Sequence, residues 1–193
     1  MSGTDIKINA LTKSYGEKVV LNDLCVVFEG GKVSCVSAMS GKGKTTLLRL
    51  IMGLEKPDFG TIDLPEGTKI SVVFQEDRLL DGMDASSNIR LVNKKLSSET
   101  VADALTGVGL DPKEKQPVGE YSGGMKRRVA IVRALLADFD LLLLDEPFKG
   151  LDADTRARTA DFIRGHTVGK TVILVTHDPA DAELLGSAAT VHI

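Results

Sequence analysis

The stretch 37–46, Ser-Ala-Met-Ser-Gly-Lys-Gly-Lys-Thr-Thr, limits what this chain can fold into more than any other. The apolar run Val33–Val36 leads into it, and the helix-prone run Leu47–Met52 leads out. A buried strand that turns through small residues into a helix opening Gly-Lys-Thr is an anion cradle. Backbone N–H groups of the turn and the helix start converge on one point, and the lysine adds a charge. The full pattern G-x-x-x-x-G-K-[ST] reads here Ala38…Gly43-Lys44-Thr45, so alanine stands in place of the first glycine. If that position takes a positive φ, alanine costs about 1 kcal/mol, which weakens phosphate binding without abolishing it. Lys42 puts a second positive charge in the turn, directed to phosphate or simply to water.

The rest of the chain has an α/β texture. Ile6–Ala10 and Val19–Phe28 alternate partially with period two around a turn-like Lys13–Lys18, which predicts an antiparallel region at the N-terminus. Thr61–Leu64 and Ile70–Phe74 follow as strands. Leu141–Leu144 and Val172–Val175 are unbroken apolar runs of strand length, as parallel strands buried on both faces require. Helices are expected over Lys44–Gly53, from Tyr121 to about Leu136, near Ala153–Arg164 and over Pro179–Leu185, with a last strand at Ala189–Ile193. Met125, Val129, Val132 and Leu136 mark one apolar helix face, and Lys126, Arg127 and Arg128 lie off it. Between Glu76 and about Gly119 the chain is polar and helix-prone, broken by Gly107, Gly109 and Pro112. It reads as a small helical subdomain inserted into the core. Strands alternating with helices predict a parallel sheet with its ligand site at the strand C-termini.

Chemistry-bearing residues fall at those predicted strand ends. Asp145-Glu146 closes the run Leu141–Leu144, where one carboxylate suits Mg²⁺ and the next can polarise a water. Alone, this pair is also an ordinary strand end with a capping aspartate. His177 follows Val172–Thr176 and favours a phosphate or water contact, whereas His166 and His192 have no comparable setting. Gln75 closes Ile70–Phe74 with a neutral amide able to meet a cation or its water. Ser122-Gly123-Gly124 opens a helix either as a second anion site or as a plain N-cap on Ser122.

Bulk properties narrow the classes further. The 193 residues suit one large domain, and 42% hydrophobic residues suit a globular core. A net charge of −3 and no tryptophan argue against nucleic-acid binding. Cys25 and Cys35 sit in apolar stretches without ligand spacing and read as core thiols. The start Met-Ser-Gly-Thr-Asp has no signal-peptide pattern, and no apolar run is long enough to span a bilayer. A membrane role therefore requires a membrane partner.

Taken in order, these pieces resemble the ATP-binding subunit of ABC transporters, from about residue 6 to Ile193. The turn Ala38–Thr45 is similar to the family's Walker A motif, and Leu141–Asp145 with Glu146 to its Walker B and catalytic glutamate. Gln75 falls at the Q-loop, Tyr121-Ser122-Gly123-Gly124-Met125 at the signature motif, Gly150-Leu151-Asp152 at the D-loop and His177 at the switch histidine. Tyr15 stands where the family places an aromatic against adenine. The resemblance implies a phosphate-loop NTPase (RecA-like) fold: a parallel-sheet core, an N-terminal antiparallel region and the inserted helical subdomain. It also implies an ATPase that works as a homodimer or pseudo-dimer. ATP would contact Tyr15, Ser40, Gly41, Lys42, Gly43, Lys44, Thr45 and Thr46 of one copy, and Ser122, Gly123, Gly124 and Asp152 of the other. Thr45, Gln75 and Asp145 would handle Mg²⁺, Glu146 would be the general base, and His177 would hold the terminal phosphate. Closure on ATP would drive transmembrane permease subunits, with a solute-binding protein, from the cytoplasmic face of the membrane.

Met125 and the stretch Val73–Leu80 are similar to importers of nitrate, sulfonate and taurine-like anions. The alternatives are a soluble ABC-type ATPase outside transport and an exporter subunit. Tyr121 stands for the commoner leucine of the signature, and Lys149-Gly150 for the frequent Ser-Ala of the D-loop.

Overall fold

Leu141–Asp145 forms a strand (β6) in which every residue is buried, and Thr171–Thr176 (β7) is buried just as completely. Runs of this kind need cover on both faces, and the computed structural model, which describes residues 3, 5–37 and 43–193, supplies it. The remaining strands are Ile6–Tyr15 (β1), Lys18–Phe28 (β2), Val33–Ser37 (β3), Phe59–Asp63 (β4), Ile70–Val73 (β5) and Ala189–His192 (β8). Helices are Lys44–Ile51 (α1), Ala85–Arg90 (α2), Ser98–Gly107 (α3), Gly123–Leu135 (α4), Ala153–His166 (α5) and Pro179–Leu184 (α6).

Five strands pair in the order β5-β6-β7-β3-β8, all parallel. Alternate residues of the central strands feed two different cores. Leu141, Leu143, Ile173 and Val175 face a cluster built with β1 and α1, through Ile6, Ile8, Leu47 and Ile51. Leu142, Leu144, Val172 and Leu174 face the other side, against Ile131 and Leu135 of α4 and Ile163 of α5. A second, antiparallel sheet has the order β2-β1-β4 and closes over the first cluster. The parallel core with an antiparallel region is thus the architecture expected.

The N-terminal hairpin turns more tightly than the polarity of Lys13–Lys18 suggests. Both strands run on to Tyr15 and Lys18, which pair directly across a two-residue turn at Gly16-Glu17, with Gly16 at φ +59°. Lys13 and Ser14 stay extended because Asp58 binds both: the Lys13 ammonium at 3.0 Å and the Ser14 N–H at 2.7 Å.

Between β5 and α4, the short helices α2 and α3 pack Ala85, Ile89, Val101 and Leu105 around a third cluster. Val129 and Val132 of α4 complete it, so α4 serves two cores at once. Asp84 caps α2 by accepting from the Ser87 N–H at 2.7 Å, and Ser97 caps α3 through Thr100. The α3 C-terminus is held by two guanidiniums: Arg128 binds the carbonyls of Val108 and Gly109, and Arg158 those of Thr106 and Gly107.

The cysteines part ways. Cys35 is buried in the second cluster, while Cys25 is exposed on β2, where its sulfur accepts from the Ala10 N–H at 3.2 Å. The alternation of β2, not its apolar content, decides this. Burial, together with the carboxylates of Asp181 and Glu146, pushes the Cys35 thiol up to about 11. At pH 8 only about one molecule in 10³ then carries its thiolate, the reactive form. A thiol-titrating disulfide reagent is expected to modify Cys25 promptly and Cys35 only at the rate of unfolding. Two equally fast thiols in native protein would contradict this placement.

Candidate active site

Because β3, β5, β6 and β7 run parallel, their C-terminal ends share one edge of the sheet. The residues that follow each strand therefore meet: Lys44 and Thr45 after β3, Gln75 after β5, Asp145-Glu146 at β6, and His177 after β7. They line one cleft of about 610 Å³, together with Gly43, Thr46 and Lys149. Sites at this edge are the rule for open parallel sheets.

Gly43 begins the helix α1 with φ +93°. A Cβ there would meet Leu21 Cδ2 and Val20 O, each at 2.9 Å, so both backbone conformation and space demand glycine. Gly43, as the N-cap of α1, offers no side-chain cap, and the positive end of the helix lies at the cleft. Ala38, Ser40, Gly41 and Lys42 lie outside the described residues.

Thr45 sits one residue into the helix, and its hydroxyl donates to Asp145 Oδ2 at 3.2 Å. Burial raises the Asp145 carboxyl above the ordinary carboxylate range. The Thr45 hydrogen bond and the Lys44 ammonium pull it down, while Glu146 pushes it up. A desolvated carboxylate beside a hydroxyl and an amide is a hard oxygen donor set, which fits Mg²⁺. Among the described residues no group of three or more His, Cys, Asp or Glu side chains could hold a metal.

Glu146 is 8% exposed, and its backbone takes φ +49°. A non-glycine residue in the left-handed region is strained by roughly 1–2 kcal/mol. The strain is held by the Glu146 N–H donating to Val175 O at 2.9 Å and the Lys149 N–H donating to Glu146 O at 3.2 Å. The consequence is a carboxylate turned back into the cleft. Oε1 lies 2.8 Å from His177 Nδ1 and 3.8 Å from Lys44 Nζ, and Oε2 lies 3.4 Å from the Thr176 hydroxyl. His177 itself keeps 67% of its side chain exposed. One face of Glu146 is thus built into the protein, and the cleft lies open on the other.

Tyr15 ends β1 and is 46% exposed, with its hydroxyl donating to Glu55 and lying near Thr46. Glu55 is held in turn by Arg49 Nη1 at 3.1 Å. Ser122 caps α4, its oxygen accepting from the Met125 N–H at 3.3 Å, so the N-cap role is filled. Gly124 lies close against the Gly150-Leu151 turn, where a Cβ would come within 3.2 Å of Leu151 Cδ2. Asp152 caps α5 by accepting from the N–H and hydroxyl of Thr155, which hold its carboxyl below the usual range. Ser122, Gly123, Gly124, Gly150, Leu151 and Asp152 line a neighbouring cleft of about 900 Å³ that reaches Thr45, Gln75 and Asp145.

Arg127, off the apolar face of α4 as its sequence spacing predicts, is nevertheless buried. Its guanidinium donates to Phe74 O at 2.6 Å and to Gln75 O, and pairs with Asp77 at 3.2 Å. Arg133, two turns on, donates to the Asp77 and Arg78 carbonyls. The helix α4 therefore grips the backbone that presents Gln75. Arg127→Met would strand two carbonyls and a half-buried carboxylate. It is expected to lower stability by about 3 kcal/mol, or roughly 10 °C in Tm for a chain of this size. A melting curve within 2–3 °C of the parent would contradict that.

Residues 21–149 match the ABC transporter family. The chain belongs to the ABC transporter family. It is 40% identical over 190 residues to the aliphatic sulfonates import ATP-binding protein SsuB of Escherichia coli K12, covering 93% of this chain and 74% of that protein. The SsuB 3 protein of Rhodococcus jostii RHA1 is 39% identical over 182 residues, covering 92% of this chain and 67% of that protein. In solved structures, the dimeric bacterial ABC transporter cassette MJ0796 superposes with a TM-score of 0.81 at 27% identity, over 97% of this chain and 94% of that one. A bacterial Atm1-family ABC exporter with ATP bound shares the fold at TM-score 0.86 and 23% identity, over 99% of this chain and 37% of that one. This ABC cassette is an ATP-binding subunit and an ATPase. No helix among its described residues is long and apolar enough to cross a membrane.

Proposed function

We propose that this ABC cassette hydrolyses ATP to power import of an organic anion of the sulfonate class through separate transmembrane permease subunits. One observation carries the chemistry: a strained, buried Glu146 presents its carboxylate beside Lys44 and His177 at the strand edge where phosphate would sit. The choice of import and of sulfonates rests on the relatives, whose names give that role to proteins 39–40% identical to this chain.

In this reading Lys44 and the N-terminal end of α1 bind the β- and γ-phosphates, and Tyr15 packs on the base. Ser40, Gly41, Lys42, Gly43 and Thr46 complete the cradle. Thr45, Asp145 and Gln75 hold Mg²⁺, which when bound neutralises phosphate charge. Glu146 accepts a proton from the attacking water, and His177 steadies the terminal phosphate from its exposed position. Ser122, Gly123, Gly124 and Asp152 lie across the neighbouring cleft and would serve the ATP of a second copy. The dimeric form of MJ0796 supports a two-copy mechanism.

In this proposal residues 76–125 form the small helical subdomain, with 1–75 and 126–193 as the core, and Val129 and Val132 of α4 join the two through the third cluster. A permease partner would place the chain on the cytoplasmic face of the membrane, and a solute-binding protein would deliver the anion. The test is ATP hydrolysis by the chain with and without its co-purified membrane partner, with Mg²⁺ present or chelated. Turnover that requires Mg²⁺ and rises with partner and sulfonate supports the proposal. No turnover even in the complex would end it.

A further inference from the structure

Behind Glu146 lies a buried polar chain that the reading above leaves unused. Thr176, the last residue of β7, has its hydroxyl 3.4 Å from Glu146 Oε2 and 2.5 Å from Asp181 Oδ2. The same oxygen accepts from the Asp178 N–H at 3.1 Å. Asp181, on α6, is buried, and its other oxygen pairs with Arg156 of α5. Arg156 also donates to Asp178 Oδ2 at 2.7 Å, and its guanidinium carbon lies 5.9 Å from the Phe148 ring centroid.

A hydroxyl has one proton to give. The 2.5 Å separation assigns that proton to Asp181, because a 3.4 Å contact is at the limit of a hydrogen bond. Glu146 Oε2 then faces oxygen lone pairs, not a donor. We propose that Asp181, fixed by Arg156, holds the Thr176 proton away from Glu146 Oε2 and so keeps the whole carboxylate basic enough to take a proton from the attacking water. Asp181 and Arg156 are positioning residues: neither lines the 610 Å³ cleft, and both act through Thr176. Arg156 begins only four residues after Asp152, and Asp181 only four after His177, so the pair also ties the starts of α5 and α6 together. The inference rests on Glu146 being the base.

The prediction has a direction that simple loosening of the structure does not share. In Asp181→Asn the amide N–H₂ can point at the Thr176 oxygen and turn the threonine proton onto Oε2. The kcat for ATP should fall about tenfold at an unchanged KM. Adding Thr176→Val removes that proton, so the double variant should turn over at least about threefold faster than Asp181→Asn alone. A merely structural role predicts further loss instead. Steady-state ATPase assays of the parent, Asp181→Asn, Thr176→Val/Asp181→Asn and Glu146→Gln separate the cases, with melting curves and ATP binding run beside them. If Asp181→Asn melts below the assay temperature, Asp181→Ala with and without Thr176→Val carries the same contrast. An Asp181→Asn enzyme as fast as the parent while Glu146→Gln is dead overturns the inference alone, as does a double variant no faster than the single. A Glu146→Gln enzyme with parental turnover overturns the base reading, and this inference with it.

Discussion

Glu146→Gln is expected to lower ATP turnover roughly 10³-fold, the size of a lost general base, while leaving ATP bound. The amide is isosteric with the carboxylate and tolerates the same left-handed backbone as poorly or as well. Its oxygen still accepts from His177 Nδ1, across the 2.8 Å contact that Glu146 makes now. What it loses is the ability to take a proton from water. It also removes a negative charge 3.8 Å from Lys44, so phosphate should bind at least as tightly as before. Single-turnover kinetics beside equilibrium binding of a fluorescent ATP analogue separate the two effects. A variant that hydrolyses within tenfold of the parent would move the base elsewhere in the cleft.

Lys44→Ala should act on the opposite quantity. The ammonium sits almost buried at the start of α1, beside Glu146 and on the helix end that attracts anions. Its removal deletes the charge that offsets Asp145 and Glu146, and their field then opposes the incoming phosphates. ATP affinity is expected to drop about 100-fold, a loss near 2.7 kcal/mol, with melting temperature little changed. Calorimetric titration reads this directly. Affinity within threefold of the parent would show that the N–H groups of α1 carry phosphate binding without the lysine.

Much of this site is legible in the sequence. Leu141–Leu144 and Val172–Val175 admit few environments other than the middle of a parallel sheet, and each ends in its reactive residues. Parallel pairing then brings Lys44, Gln75, Glu146 and His177 to one edge, although 133 positions separate the first from the last. Strand order was not readable: nothing in Val33–Ser37 says that it pairs with β7 on one side and β8 on the other. Pairing is a property of the assembled sheet.

Residues that support the site were the hardest to see, because their partners are distant and unlike them. The spacing sets Arg127 off the apolar face of α4 beside Lys126 and Arg128, and only the packing of α4 against the end of β5 buries it. Tyr15 meets Glu55 forty residues on, and Arg156 meets Asp181 across a strand and two turns. A left-handed Glu146 leaves no trace in composition at all. Cys25 misled for a simpler reason, since an apolar stretch on an edge strand still exposes every other residue.

The cleft around Lys44 and Glu146 should be completed by the Ser122-Gly123-Gly124 edge of a second copy. Light scattering on Glu146→Gln with and without saturating ATP reads this out. The mass should be that of one chain without nucleotide and of two with it, and a further Ser122→Arg substitution, placing a bulky cation on that edge, should abolish the doubling. A chain that binds ATP at saturation and stays monomeric, alone and with its permease partner, would contradict the account.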